Sequence, residues 1–160
     1  MAATFENLRV LQIAEGIADT IWEQVTRWDQ FARDVVGKQL ARAADSMGAN
    51  IAESFGRFNF GEKLQFLYYS RGSLFETKYW LNRACTRNLM TSADASSYAN
   101  QLTELARQLN SFASSLKSVR AEQKTHTRSV QESVQEYVAV NLDEYPDPLF
   151  SEDVLTWLNA

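Results

Sequence analysis

The sequence predicts an all-α protein: an antiparallel up-and-down four-helix bundle with an acidic C-terminal extension that ends in a short helix. Apolar residues recur every three or four positions in four successive runs, which is the spacing of one face of an amphipathic helix. The chain has six glycines and only two prolines, both near its C-terminus, so turn residues are too few for a β-sandwich. Its 160 residues suffice for one domain and an appendage.

The first two runs predict a helical hairpin. The segment "FENLRVLQIAEGIADTIWEQVTRW" forms one apolar stripe, and a second run around residues 29–56 forms another. The connection between the runs is short, so the helices are expected to lie antiparallel. The first stripe comprises Leu11, Ala14, Ala18, Ile21, Val25 and Trp28, and the second comprises Val36, Leu40, Ala44, Met47, Ile51 and Phe55.

The third run begins after "FNFG", where Asn59 and Gly61 can break a helix. A leucine stripe then continues to Cys85. Phe66, Tyr69 and Trp80 lie off this stripe, which predicts contacts on two faces, either with other helices of the bundle or with another subunit.

The fourth run has a heptad pattern, and either Ser92 or Asp94 is expected to cap its start. Its apolar seam comprises Tyr98, Leu102, Leu105, Leu109, Phe112, Leu116 and Val119.

Charge and composition divide the chain into three parts. Residues 1–121 form the bundle, residues 122–142 form a polar linker or weak helix, and residues 143–160 form the acidic tail with its short helix. Residues 1–121 hold 14 Lys and Arg against 12 Asp and Glu, whereas residues 122–160 hold 2 against 8. Ser151 is expected to cap a short helix, which is marginal alone in water and needs a surface to dock on. That surface is either its own bundle or another protein, and the docking residues are Phe150, Val154, Leu155, Trp157 and Leu158.

Catalytic patterns are scarce, and we expect no enzyme, no cofactor and no metal site. The single cysteine, Cys85, excludes an intrachain disulfide, and the single histidine, His126, lies in a polar segment. A di-iron bundle needs Glu-x-x-His on two helices, and the chain has none. Glu53 and Glu76 are the carboxylates best suited to acid and base chemistry, and an enzyme that uses them is the weakest of the functional hypotheses. The N-terminus does not resemble a signal peptide and no apolar run approaches 18 residues, so we expect a cytoplasmic protein without membrane contact.

Two poor helix formers, Gly48 and Asn50, stand in the middle of the second helix. We expect small residues beside them, Ala43, Ala49 and Ala52, to let the third helix approach closely. Polar residues at steps of three or four form a stripe on the same helix, and Arg71, Ser73 and Glu76 of the third helix can face it. The pattern predicts a polar network between helices or subunits, comprising Arg42, Ser46, Asn50, Glu53, Arg57, Ser73 and Glu76.

Three separated segments carry a family resemblance: "FENLRVLQIA", "QLARAADSMGANIAESFGR" and "GSLFETKYWL". Together they resemble the four-helix-bundle proteins of the bacterial 23S rRNA intervening-sequence family over roughly residues 5–120. The resemblance implies an antiparallel four-helix subunit that assembles into a ring-shaped homopentamer. It also implies kinship with the accessory protein of diversity-generating retroelements, a basic pentamer that binds RNA and a reverse transcriptase.

The functional hypothesis is a non-enzymatic, ring-forming, homopentameric helical scaffold or adaptor that recruits a macromolecular partner. Its partners are other copies of itself and another protein bound through the tail. The alternative is an RNA-binding accessory protein that acts with a reverse transcriptase or ribosomal RNA. Phosphate contacts would then come from Arg9, Arg27, Arg33, Arg83, Arg87 and Arg107, although the bundle's charge of only +2 argues against a strongly basic ring.

Overall fold

The computed structural model describes residues 8–128 and 150–159, with the backbone alone for 123–128 and Asn159. Every regular element in these two ranges is helical. The elements are α1 (Arg9–Thr26), α2 (Gln30–Ala32), a π-helical turn (Arg33–Gly37), α3 (Lys38–Gly56), α4 (Phe60–Thr86), α5 (Ser92–Arg128) and α6 (Glu152–Asn159). The α2 segment, the π-helical turn and α3 follow one another without a break in the helix. The all-helical prediction is confirmed for the described residues.

Each of the four long helices packs against two others. The α3 helix lies between α1 and α4, and α5 also contacts both α1 and α4. The direction of α4 is opposite to that of α3, because Ser54 contacts Lys63 while the earlier Met47 contacts the later Ser70. Helices α1 and α3 are likewise antiparallel, since Gly37 lies beside Val25 and Gly48 beside Leu11.

The core contains most of the predicted apolar stripes, but Phe55, which ends the second stripe, is 36% exposed beside the turn into α4. Side chains from α1, α3, α4 and α5 form one continuous buried cluster that also includes residues of α6. The heptad seam of α5 is buried from Tyr98 to Leu109, but Phe112 and Leu116 are only partly buried and Val119 is 42% exposed. Tyr98 lies beside Thr20 and Arg27, near the end of α1. Further along α5, the neighbouring part of α1 is therefore the part towards Arg9, where α1 begins. The last residues of the seam lie beyond that point and have no described part of α1 beside them.

The ends of the helices follow local sequence signals. The predicted break falls between α3 and α4, at residues 57–59. Just after α4 ends at Thr86, Asn88 has a φ of 56°, and the Leu89 N–H donates to Ala84 O at 2.9 Å. This closing turn needs a left-handed residue, which asparagine tolerates better than most. The next helix follows at once, which keeps α4 and α5 adjacent.

The prediction that Ser92 or Asp94 caps the start of α5 was wrong. The Thr91 hydroxyl accepts a hydrogen bond from Asp94 N–H at 3.0 Å, and the Asp94 carboxylate accepts one from Thr91 N–H at 3.3 Å. Thr91 is therefore the cap, and Asp94 completes a reciprocal capping box. The capping prediction for Ser151 is confirmed, because its hydroxyl accepts from Val154 N–H at 3.3 Å.

The boundary predicted at residue 121 does not coincide with a helix end, because α5 continues to Arg128. The remainder of the predicted linker, and the tail up to residue 149, lie outside the described residues. None of the described helices combines the length and the apolarity that a membrane crossing requires.

Candidate assembly and docking surfaces

The predicted polar network divides into two groups within one chain. The Asn50 amide donates to Ser46 O at 2.7 Å and lies 3.5 Å from Ser73 Oγ, so it joins α3 to α4. Glu53 and Arg57 form an ion pair one helical turn further on. Arg42 and Glu76 are exposed, and Arg71 lies over the Phe150 ring instead of facing the stripe.

Two serines that the sequence analysis passed over make stronger links between α3 and α4. Ser70 donates to Met47 O at 2.9 Å, and Ser54 donates to Lys63 O at 2.8 Å. Both serines are fully buried. Each lies on the apolar stripe of its helix, and a hydroxyl at such a position needs a partner. A serine within an apolar stripe was therefore the feature of the sequence from which these links between α3 and α4 could have been predicted.

The small residues of α3 face a different helix from the one predicted. Gly48, Ala49 and Ala52 line a groove of about 410 Å³ together with α1, whereas we expected them to approach α4. The reason is helical phase, since these residues lie on the side of α3 that faces Leu11 and Ala14 of α1. Three carboxylates rim the groove, those of Glu15, Asp19 and Asp45. Partial desolvation of its carboxyl at the groove, and secondarily the charge of Asp19, raise the pKa of Asp45, although the residue as a whole is exposed.

An exposed aromatic surface surrounds the turn between α3 and α4. Phe58 is 97% exposed, and together with Phe55 and Arg57 it lines a groove of about 780 Å³. The Arg57 guanidinium lies 4.7 Å from the centre of the Phe66 ring. That ring packs edge-on against Tyr69, which is 50% exposed. We call these five residues the turn surface. Exposed apolar area of this kind marks contact sites for other macromolecules.

The C-terminal helix docks on its own chain. Phe150, Leu155 and Leu158 are buried in the common core cluster, and Val154 packs partly against it. Phe75 of α4 stacks on both Phe150 and Trp157, with ring centres 5.7 and 5.5 Å apart. The predicted docking residues therefore pack against α4 and α5, and of the five only Trp157 is substantially exposed, at 49%.

Polar contacts hold both ends of this docked segment. The Asn110 side chain of α5 accepts from Phe150 N–H at 2.9 Å and donates to Phe150 O at 3.1 Å. At the other end, Lys78 Nζ of α4 donates to Leu158 O at 3.2 Å and lies 5.9 Å from the Trp157 ring centre. Lys78 is only 6% exposed, and this burial lowers the pKa of its ammonium. Neither Asn110 nor Lys78 was among the predicted site residues.

The predicted phosphate-contacting arginines do not share one face. Arg27, Arg33, Arg83 and Arg87 belong to one end of the molecule, where α1 turns into α2 and α4 turns into α5. Arg9 begins α1 at the other end, and Arg107 lies in the middle of α5. Arg27 forms an ion pair with Glu23 at 4.0 Å, and Arg83 lies over the Tyr79 ring at 5.9 Å. Four of the six predicted arginines therefore lie at the same end of the molecule.

Side chains suited to catalysis are not brought together in the described ranges. No group of three or more His, Cys, Asp and Glu residues there is placed to hold a metal ion. Cys85 is partly buried against the core, Glu53 pairs with Arg57, and Glu76 is exposed. The side chain of His126 lies outside the described residues. The chemistry available on these surfaces is that of binding: aromatic stacking, apolar contact and hydrogen bonding to peptide groups.

Comparison with known families identifies the family of this chain. Residues 6–111 match the model of the family described as "23S rRNA-intervening sequence protein". This segment extends from just before α1 to the middle of α5, and so contains the turn surface and most of the groove that receives α6. The α6 segment lies outside the matched range. No curated protein matches the chain.

Proposed function

Because the chain belongs to the 23S rRNA-intervening sequence protein family, we propose that it is a non-enzymatic helical scaffold that assembles with copies of itself and recruits a macromolecular partner. Its subunit is an antiparallel up-and-down four-helix bundle, and its assembly is a ring of five copies. The observation that carries the proposal is the turn surface. A side chain as exposed as Phe58, within a connected group of aromatic and cationic residues, is costly in an isolated monomer and favourable in an interface.

The turn surface has the composition of an interface centre. Aromatic residues and arginine are enriched at interface centres, and four aromatic residues and one arginine make up this surface, with Glu53 and Glu62 beside them. Phe55, Phe58 and Tyr69 supply apolar area, and Arg57 lies over the Phe66 ring, where it can exchange its solvent contacts for those of a partner. Packing this surface against a second copy removes the exposed rings from water at little cost in conformational entropy.

The native mass of the purified full-length chain tests the assembly. We expect five times the chain mass of 18.2 kDa at micromolar concentration. Replacing Phe55 and Phe58 by Ser should shift the mass towards that of one chain. Phe31→Ser is the matched control, because Phe31 is 77% exposed but lies at the opposite end of the molecule. A wild-type mass of 18.2 kDa would overturn the scaffold proposal.

The second candidate is an RNA-binding accessory protein that acts with ribosomal RNA or a reverse transcriptase. The family description and the grouping of Arg27, Arg33, Arg83 and Arg87 at one end favour it. Several copies of that end in one assembly would multiply the phosphate contacts of a weakly charged subunit.

The RNA candidate predicts retention of RNA that falls steeply with salt concentration. Reversing the charge of Arg27, Arg33, Arg83 and Arg87 to Glu should abolish retention. Reversing Arg9 and Arg107, which lie elsewhere, should have a smaller effect for each charge changed. Equal losses for each charge in both sets would show that the grouped end has no particular role. Nuclease treatment that leaves the mass of the isolated assembly unchanged would count against this candidate.

A further inference from the structure

The groove that receives α6 recognises both ends of the segment. We call the surface formed by Arg71, Phe75, Lys78 and Asn110 the tail groove. Asn110 pairs with the N–H and the C=O of Phe150, as a neighbouring peptide strand would. Lys78 meets Leu158 O, close to the negative end of the α6 dipole. Contacts to backbone groups at two fixed points set the position of a short helix along the groove, which apolar packing alone does not do.

The burial of Lys78 makes this docking easy to reverse. The Lys78 ammonium contacts Leu158 O and the Trp157 ring, so α6 itself supplies the cover over it. Burial of a cation is costly unless it is paired, and within the described residues its hydrogen bond is to a neutral carbonyl. When α6 leaves, the ammonium regains water. The tail groove is thus tolerable when empty, unlike a core position.

The chain between the bundle and α6 is long enough to reach beyond its own subunit. From Asn110 to Arg128, α5 runs about 27 Å away from the tail groove at 1.5 Å per residue. Residues 129–149 then provide a contour length of about 70 Å up to Phe150. The contour length of this segment is more than twice the distance of about 27 Å from the end of α5 back to the tail groove.

We propose that the tail groove is a peptide-binding site that accepts the C-terminal segment of a second copy as well as that of its own chain. The occupant is residues 150–158, with a buried aromatic residue at the start, an acidic first turn and two buried leucines. Whatever fits the groove within one chain also fits it between chains, because the recognised groups are identical. Exchange links copies without any further surface. The proposal deepens the self-association proposed above and is tested separately from it.

Three full-length variants separate exchange from every other contact between copies. The tail variant carries Phe150→Ala and Leu158→Ala and keeps its groove. The groove variant carries Phe75→Ala and Asn110→Ala, which remove the ring stacked on Phe150 and Trp157 and the side chain bonded to Phe150, and it keeps its segment. The double variant carries all four changes. Circular dichroism and thermal unfolding establish that each is folded, and Asn110→Ala alone replaces the groove variant if it is not.

The immobilised tail variant is offered the groove variant or the double variant at equal concentration. The double variant shares every contact except an intact segment, so its retention measures association through other surfaces, including the turn surface. We expect the groove variant to be retained about tenfold more, the factor that about 1.4 kcal/mol produces. Equal retention of the two would overturn the proposal, whether or not the copies associate otherwise.

A labelled synthetic peptide of residues 146–160 gives an independent measurement. We expect it to bind the tail variant with one site per chain, and wild type about tenfold more weakly because the attached segment competes. It should not bind the double variant. Absence of binding to the folded tail variant would overturn the proposal. Binding of the peptide together with equal retention in the capture experiment would show that the groove accepts a free segment but not one attached to a second copy, which also contradicts exchange.

Discussion

At the scale of single residues, two glycines of the second helical run differ in what surrounds them. A Cβ on Gly48 would lie 3.7 Å from its nearest neighbour, Leu11 Cδ1, which is ordinary contact. A Cβ on Gly37 would lie 2.6 Å from Val25 Cγ1, closer than carbon atoms pack. The glycine required by close approach is therefore Gly37, in the π-helical turn, and not Gly48, which the sequence pattern had suggested.

Replacing each of these glycines by alanine should have opposite effects on stability. Gly48→Ala should raise the free energy of unfolding by up to about 1 kcal/mol, because alanine loses less backbone entropy in a helix. Gly37→Ala should lower it by about 1–3 kcal/mol through overpacking against Val25. Urea unfolding of both variants measures the difference. A Gly37→Ala variant as stable as wild type would show that Val25 moves aside freely.

The carboxyl of Asp45 provides a prediction about pH. Partial desolvation and the charge of Asp19 raise its pKa above 3.8, so ionised Asp45 destabilises the folded chain at neutral pH. The penalty is fully present above the raised pKa and disappears below 3.8, where the carboxyl is protonated in both folded and unfolded chains. Asp45→Asn should therefore be more stable than wild type at pH 7, and this advantage should shrink as the pH falls towards 3.8. An advantage that stays constant with pH would contradict the assignment.

At the scale of elements, the start of α5 shows how a helix end is chosen. Thr91 precedes two residues that also cap helices well, Ser92 and Asp94, and the sequence favours none of them decisively. The Schellman-type turn at Asn88 determines which residue caps α5. It places Thr91 at the first position from which a hydroxyl can reach the free N–H groups in the first turn of α5.

The capping box gives a matched pair of substitutions. Thr91→Ala should destabilise the chain by about 1 kcal/mol, because it leaves the Asp94 N–H without its acceptor. Ser92→Ala, one residue on and exposed, should change stability by less than about 0.5 kcal/mol. Thermal unfolding of both variants measures the contrast. A larger loss at Ser92 would restore the cap first predicted from the sequence.

At the scale of the whole molecule, α6 is joined to the core yet is distant from it along the chain. Leu158 of α6 and Phe150, two residues before the helix, belong to the same apolar cluster as the buried residues of α1, α3, α4 and α5. However, α6 has eight residues and is not stable alone, so it either docks as a unit or leaves as a unit.

This behaviour predicts non-additive substitutions. Phe150→Ala should release α6, after which Leu158→Ala costs little more, so the double variant should lose clearly less than the sum of the single losses. Leu102→Ala, in the fully buried seam of α5, should cost about 2–5 kcal/mol whether or not α6 is docked. Urea unfolding of these variants measures both statements, provided that Leu102→Ala is made both in the wild type and in the Phe150→Ala variant. Additive losses at Phe150 and Leu158 would make α6 an inseparable part of the core.

The apolar spacing was enough to predict the helices, their order and most of the core, because periodicity at 3.6 residues depends on which side chains must leave water and on little else. It also predicted the Ser151 cap and the short C-terminal helix, since capping is a local interaction. The family resemblance likewise depended on short segments of the chain.

Contacts between distant residues depended on the tertiary structure. Only the packing of helices could show that Gly48 faces α1, that Gly37 touches Val25, and that Ser54 and Ser70 join α3 to α4. Asn110 and Lys78 became binding residues because α4 and α5 place them at the two ends of a segment that follows 40 and 80 residues later. Helical phase can be read from spacing, but the azimuth at which one helix meets another is decided by the simultaneous fit of all side chains in the core.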